Sequence, residues 1–507
     1  MDTPYFSAGK ASDLDGKDRL LYRVFEILPG FLSWGSLILI IVCSIWLPVW
    51  AAIFIILFDT YWLLKTVYMS IHLRHNHKRL KHNMKLDWRE RLSHLKYEHV
   101  RHVVILPFYK EGQEVVESCI QSLLNTSYDK NKFIIVLGYE ERVGDEARDV
   151  AEKVLEKYKD SFGEFIITEH PQNTPGEMPG KGSNISYMAE EVRTCVLDPL
   201  GLSYEEILVS AFDIDTVVYP QYFLCLTWNF LTCENPHRTS FQPVPLYNNN
   251  IWEAPSLSRV MAMTSTFWQM IQQERPEKLA TFSSHSVMFK SLYEIGYWQK
   301  NMVSEDSRIF WNLFLAHDGD YTVVPIAYPV SMDANLDRSY WQTTKNVYKQ
   351  HLRWSWGVEN IPYILMGFVK NKRIKLWTKI RMATVQIEGF WSLATNPIFI
   401  FLLGWLPLVL GGHLFSATVL SYNLPRITRM LMGFAMLGLL LSAIISVSLL
   451  PTPPKTVKMK DWVIMWVQWI IVPITIIVFG ALPGLDAQMR LILGKYMGFW
   501  VTPKHRK

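Results

Sequence analysis

Where the apolar residues fall constrains this chain more than any other feature. Two apolar runs, residues 27–48 and 49–69, follow one another near the amino end and meet at Leu47-Pro48. Each is long enough to cross a hydrocarbon core of roughly 30 Å as a helix, the form in which one segment satisfies its own backbone amides in lipid. Two further runs, about 385–411 and about 427–450, lie towards the carboxyl end. The stretch between has ordinary polarity. A chain of 507 residues therefore has room for one large water-soluble domain set between membrane helices.

The net charge of +5 is modest. Its basic residues gather beside the apolar runs, where anionic lipid is a simpler partner than nucleic acid. Arg74, Lys78, Arg79, Lys81 and Lys85 follow the second run, and the positive-inside bias puts them, with the central domain, in the cytosol. The loop His413 to Pro425 lacks Lys and Arg and is expected outside; Lys455, Lys458 and Lys460 are expected inside. A fifth apolar stretch, 462–483, would carry the basic C-terminus (Lys495, Lys504, His505, Arg506, Lys507) outside if it crossed. Pro473 interrupts it, and Trp462, Trp466 and Trp469 crowd its first half, which predicts a re-entrant or interfacial segment. Asp59, inside the second run, either lines a path for product or makes a helix–helix hydrogen bond. Residues 1–26 are polar, and no cleavable signal is expected there. The five cysteines form no Cys-x-x-Cys pair, so buried, reduced thiols are expected. The expected division is a cytosolic segment 1–26, a hairpin 27–69, the soluble domain 70–340, interfacial helices 341–384, two spans 385–450, and a re-entrant segment with cytosolic tail 451–507.

From about 100 to 340, short β-branched runs alternate with amphipathic stretches. Candidate strands are 103–107, 133–137, 164–168 and 207–212; helical spacing marks 114–124 and 145–159. This β-α-β-α order predicts an α/β domain with a mainly parallel sheet, which binds ligands at the carboxyl ends of its strands. The fourth strand ends in Asp213-Ile-Asp215. Alternation along an extended chain would point both carboxylates to one side, as hard ligands for Mg²⁺ or Mn²⁺ shared with phosphates. Pro179-Gly-Lys181-Gly-Ser-Asn184 is a glycine-flanked lysine without Walker spacing. It reads as a surface turn or as a backbone that approaches a diphosphate beside a point charge. Ser304-Glu305-Asp306 opens an amphipathic run. The pair suits a helix dipole, and Asp306 equally suits a general base. Gln350, Arg353 and Trp354 share a helix face; that face could hold a diphosphate and a sugar ring or anchor an interfacial helix.

Asp-x-Asp, an acidic pair ending in Asp, Gln-x-x-Arg-Trp and then membrane helices, in that order, resemble the processive membrane family 2 glycosyltransferases: cellulose, chitin and hyaluronan synthases and their relatives. The likeness covers roughly residues 100–507. It implies a GT-A type domain between N- and C-terminal membrane helices, in a multi-pass plasma-membrane protein. Pro107-Phe-Tyr109-Lys110-Glu111 is similar to the family's first strand end, with Lys in place of the usual Asn, so Tyr109 and Glu111 are implied at the nucleotide. The second strand ends Gly138-Tyr-Glu140-Glu141-Arg142 where the family carries Asp, so Glu140 or Glu141 would substitute. Pro179 to Asn184 matches the glycine-lysine motif. Thr281-Phe-Ser-Ser284-His285-Ser286 looks like the floor of the acceptor site, with Ser284-His285 in place of a Cys-Gly or Gly-Ser pair. Phe499-Trp-Val501-Thr502-Pro-Lys504 resembles the gating loop that closes over the nucleotide sugar in cellulose synthases, and it implies an internal C-terminus.

The reading that follows is an inverting, metal-dependent hexosyltransferase that uses a UDP- or GDP-sugar and extends a polysaccharide exported through its own helices. Asp213 and Asp215 would hold metal and donor; Lys181, Gln350 and Arg353 would neutralise the diphosphate; Asp306, with Glu305, would supply the base; Trp354 would stack on the acceptor. The alternative is transfer of a single sugar to a lipid acceptor. A third class, a transporter whose domain only binds nucleotide, predicts no transfer at all. Donor sugar, linkage and protein partners have no signature in the sequence.

Overall fold

The computed structural model describes residues 4–502. Helices Gly16–Trp46 and Pro48–Asn83 form the expected hairpin. It breaks at Leu47 because Pro48, which has no N–H to contribute, starts the second helix in its first turn. Both helices outrun the predicted 27–48 and 49–69. The extensions lie against the central domain: Leu73, Asn76 and Leu80 are buried, and Asn76 Nδ2 donates to Glu274 Oε1 at 2.8 Å.

Among the described residues, four helical stretches are long and apolar enough to cross a membrane: Gly16–Trp46, Pro48–Asn83, Val419–Ser448 and Met459–Leu493. The predicted span at 385–411 is a bent pair, Leu376–Phe401 and Leu403–Leu410, at 48°. Pro407 accounts for the break, since its ring conflicts with the carbonyl four residues back, that of Leu403. The Met459–Leu493 stretch meets the central domain at both ends. Trp462 packs edge-on to Trp252 at 5.2 Å and Trp469 stacks on Phe267 at 5.6 Å, while Leu491 clusters with Leu352 and Trp356. Between these ends, Ala481 and Leu485 pack with Leu37 and Ala394.

The central domain is built on eight strands: β1 (Arg101–Pro107), β2 (Phe133–Glu140), β3 (Glu164–His170), β4 (Ile207–Ala211), β5 (Val217–Val218), β6 (Thr239–Leu246), β7 (Ser286–Met288) and β8 (Thr322–Ser331). They form one sheet in the order β3-β2-β1-β4-β7-β6-β8-β5. The first four are the predicted strands, all parallel. Their alternation feeds two apolar layers. Val103, Ile105, Ile134 and Val136 face one; Val104, Leu106, Ile135 and Leu137 face the other. The second half makes the sheet mixed: β7 runs antiparallel to β4 and β6, and β5 antiparallel to β8.

Residues 4–14, part of the polar segment expected over 1–26, pack into the domain. Ala8, Ala11 and Leu14 are buried, and Tyr363 Oη donates to Phe6 O at 3.2 Å. This strap meets the helix Glu305–Ala316 through Arg308 Nη1, which donates to Ala8 O at 3.3 Å.

Candidate active site

Lys181 is the centre of the site. It opens helix Lys181–Val192 directly after Gly180, and its Nζ lies 2.7 Å from Asp213 Oδ1, 2.9 Å from Asp306 Oδ1 and 3.7 Å from Glu305 Oε1. Burial pulls its pKa down, but the carboxylates of Asp213, Asp306 and Glu305 more than offset this and hold it above the ordinary lysine value. Three segments distant in sequence thus converge on one ammonium at the carboxyl edge of the sheet.

The glycines around Lys181 stand close against protein neighbours. Gly180 has φ +153°, and a Cβ there would lie 2.6 Å from Phe499 Cγ. A Cβ on Gly182 would lie 2.9 Å from Gln299 O and 3.2 Å from Glu305 Cβ. Both glycines admit protein neighbours: the C-terminal segment on one side and the Glu305 helix on the other.

The Asp213 and Asp215 carboxylates are not set by strand alternation. β4 ends at Ala211, and Thr216 N donates to Asp213 O at 2.8 Å in a tight turn. Asp213 Oδ2 accepts from Ser283 Oγ at 2.8 Å. Asp215, fully buried, accepts from Asp333 N at 2.9 Å, and Asn249 Nδ2 bridges Asp215 O and Asp333 Oδ1, each at 2.9 Å. Tyr247 reports their shared field. Its pKa is raised by burial first, then by Asp213 and Asp215; Arg353 opposes and Asp306 adds.

Glu305 and Asp306 begin helix Glu305–Ala316. The preceding turn hangs on Glu359, whose Oε1 accepts from Ser304 N at 2.9 Å and Ser304 Oγ at 2.7 Å. Glu305 is buried and its carboxyl is raised, by desolvation first and then by Asp306; Lys181 and Arg353 act against this. Arg308, one turn on, is wholly buried, with its guanidinium 3.9 Å over the Tyr363 ring.

Helix Tyr340–Ser355 carries Gln350, Arg353 and Trp354. Gln350 and Trp354 line a crevice with Tyr247, Asp333 and His351. Trp354 lies among aromatic rings, 6.2 Å from Tyr247, 6.1 Å from Phe282 and 4.8 Å from His351. Arg353 stacks on Phe499 at 5.0 Å. Phe499 therefore sits between Gly180 and Arg353, which brings the C-terminal segment onto the site. Val501 is half-buried and Thr502 buried; Lys504 lies outside the described residues.

Ser284 and His285, expected to touch the acceptor, are both fully buried. His285 Nδ1 donates to Phe282 O at 2.9 Å, and Trp298 Nε1 donates to His285 Nε2 at 3.2 Å. Burial keeps this imidazole's pKa low, so it is a neutral brace beneath the floor. Ser284 adopts φ +66°, a conformation that favours glycine, while the neighbouring Ser283 reaches Asp213.

At the β1 and β2 ends, Tyr109 N donates to Glu111 Oε2 at 2.7 Å. Arg142 Nε and Nη2 both donate to Glu140, each at 2.8 Å, and its guanidinium lies 4.9 Å over the Tyr109 ring. Glu141 instead accepts from Gln172 N at 2.8 Å. Tyr247 and Asp333 are residues sequence reasoning missed, with no local signal to mark them. Ser283 and Arg142 lie inside segments the sequence singles out, 281–286 and 138–142, but were not named as site residues.

A sheet that gathers an Asp-x-Asp turn, a buried lysine and an acidic helix start at its carboxyl edge has the architecture of a sugar-transferring enzyme. The chain belongs to glycosyl transferase family group 2, whose sequence model matches residues 208–481. It is an enzyme, a family 2 glycosyltransferase. No curated protein matches it in sequence. Among solved structures it is similar to the mannosyltransferase PcManGT from Pyrobaculum calidifontis in complex with GDP-Man and Mn²⁺. The identity is 12%, over 78% of this chain and 99% of that one, with a TM-score of 0.41. It is also similar to S. aureus TarS 1–349 in complex with UDP-GlcNAc. There the identity is 12%, over 69% and 91%, with a TM-score of 0.36.

Proposed function

We propose that this glycosyltransferase moves a hexose from a UDP- or GDP-sugar to the terminal hydroxyl of a growing polysaccharide, with inversion, and passes the product out through its membrane helices. The observation that carries the reading is the Lys181 node, where one cation holds the base candidate Asp306 and the donor-side Asp213 together. The acceptor oxygen attacks the anomeric carbon, the bond from that carbon to the diphosphate breaks, and the acceptor proton passes to Asp306. Lys181, Gln350 and Arg353 take up the charge of the departing diphosphate. An arriving diphosphate competes for the Lys181 ammonium and so frees Asp306 to act as base.

The donor set suits a hard divalent cation: the carboxylates of Asp213 and Asp215 share the turn after β4, and Asp333 lies alongside. Asp213 and Asp215 would hold Mg²⁺ or Mn²⁺. When bound, such an ion neutralises the diphosphate.

The basic stretch Arg74 to Lys85 supports a cytosolic domain in the plasma membrane. The contact of both ends of Met459–Leu493 with that domain supports an interfacial segment that lies along the domain without crossing, leaving the C-terminus inside. Trp341, exposed on the helix that carries Trp354, favours a site close to the membrane surface, and with it the second reading, one sugar transferred to a lipid acceptor. Purified enzyme supplied with a panel of UDP- and GDP-sugars and Mg²⁺ or Mn²⁺ tests both. A ladder of long oligosaccharides supports the polymer reading and a single glycolipid replaces it. Asp306→Asn is expected to abolish transfer and keep nucleotide binding; retained turnover would remove Asp306 from the base role.

A further inference from the structure

At the opposite edge of the sheet from the Lys181 node, three metal-ligating side chains converge. His237 precedes β6, Glu294 lies on helix Phe289–Ile295, and His317 caps the carboxyl end of helix Glu305–Ala316. One potential ligand atom from each lies within 4.8 Å of the others. His237 Nε2 and Glu294 Oε2 are 2.9 Å apart. His317 Nε2 is buried and has no hydrogen-bond partner. Its ring is held in place, stacked on Tyr321 at 11° and edge-on to His237 at 5.3 Å. Ser291 Oγ donates to His237 O at 2.7 Å and steadies the second ligand. The neighbouring Arg238 is engaged by Asp320.

We propose that His237, Glu294 and His317 form a zinc site separate from the transferase centre. Two imidazoles and a carboxylate are zinc donors rather than magnesium donors. Zinc–ligand bonds of roughly 2.0–2.1 Å at tetrahedral angles put ligand atoms about 3.3 Å apart. The His237–Glu294 pair is close to that spacing already, and the widest separation needs to close by about 1.5 Å. A partnerless buried imidazole nitrogen beside a carboxylate and a second imidazole is what a lone surface ion pair leaves unexplained, and a cation satisfies it. Exposure of Glu294 leaves the fourth position to water.

The site lies about 30 Å from Tyr247, taking roughly 3.3 Å per residue along β6. Its role is a staple. It ties the far end of the helix whose first turn carries Asp306 to the start of β6, whose other end leads to Tyr247. The inference does not depend on which sugar or acceptor the enzyme uses.

The test is zinc titration of the purified full-length protein in excess Mg²⁺, read with a fluorescent zinc chelator and by thermal unfolding. A single tight equivalent per chain is expected, with a rise in melting temperature. His317→Ala and His237→Ala should weaken it at least tenfold and abolish the thermal shift. Glu294→Gln, at a partly exposed side chain, tests the carboxylate ligand if the histidine variants fail to fold. No zinc uptake by the native chain, or uptake unchanged in Glu294→Gln and in whichever histidine variants fold, overturns the proposal.

Discussion

Gly180→Ala is the sharpest probe of how the C-terminal segment serves the site. The new methyl would lie 2.6, 2.8 and 2.9 Å from Cγ, Cβ and Cδ1 of Phe499. Two of these atoms are at the root of the side chain, so rotating the ring gives no relief. The backbone cannot yield cheaply either, because φ +153° with ψ −170° is a region in which a residue with a Cβ is strained by about 1–3 kcal/mol. Phe499 must therefore leave, and with it the stacking on Arg353, about 1 kcal/mol for a partly buried pair. Lost ring packing adds about 1 kcal/mol. The sum of about 2 kcal/mol corresponds to roughly a 30-fold fall in kcat/KM, provided the closed segment holds Arg353 in its working orientation. Phe499→Ala loses the same contacts and should fall by a similar factor. The double variant decides the matter. If both act by removing one ring from one place, its kcat/KM stays near that of either single variant, since the pair shares one interaction. Rates over a donor concentration series for the four proteins give the comparison. A double variant near the product of the two, roughly a thousand-fold loss, would refute the mechanism.

Three further outcomes are expected. Chelation with EDTA should stop transfer, and Mg²⁺ or Mn²⁺ should restore it, measured as nucleotide release; activity indifferent to chelator would remove the metal from Asp213 and Asp215. His102, buried among Tyr128, Phe133 and Phe223, has its pKa pushed by burial from 6.5 down to about 3. The folded state therefore binds this proton less readily than the unfolded one, and stability present above pH 6.5 is lost as pH falls through 6.5 towards 3, by about 2 kcal/mol at pH 5. In His102→Phe that part of the slope should vanish from melting temperatures taken at pH 5 and pH 7. Arg308→Met strips donors from Asn360 Oδ1, Gln299 Oε1, Ala8 O and Glu359 O. At about 1 kcal/mol for each, the cost is on the order of 4 kcal/mol, read as a lower unfolding midpoint with activity falling alongside.

What the sequence revealed, and what it hid, divides along physical lines. β1 to β4 were legible because residues such as Val103 and Val104 alternate between two apolar layers, and helices follow at a regular interval. β6 carries Pro243 and Pro245 beside a register shift, β7 has three residues and β5 two. No periodicity survives in segments so short or so interrupted, and the mixed half of the sheet went unseen. The candidate site motifs were legible as strings, but their geometry was not. A pair of aspartates reads as extended chain until Thr216 N closes the turn on Asp213 O. Polar residues such as Ser284 and His285 read as contacts because burial leaves no mark on residue type, and the partner that satisfies His285, Trp298, lies thirteen residues away.

The same reasoning explains why the Lys181 motif was half understood. Its glycines read as room for a ligand, and in the fold Phe499 stands against one and Gln299 with Glu305 against the other. The cation is therefore boxed in by protein on both flanks. Its three carboxylate contacts, with Asp213, Asp306 and Glu305, come from two further segments. A group held this way senses the donor in a manner an exposed lysine could not. Adding a diphosphate shifts the balance among partners already in contact, and the Asp306 carboxylate is the one whose release matters. If so, the donor itself unmasks the base. Lys181→Met removes both the partner of Asp306 and the cation that meets the diphosphate. Donor KM should rise and kcat should fall, since the departing diphosphate loses a positive charge, both measured as nucleotide release over a donor concentration series. Unchanged KM and kcat would remove Lys181 from the donor site.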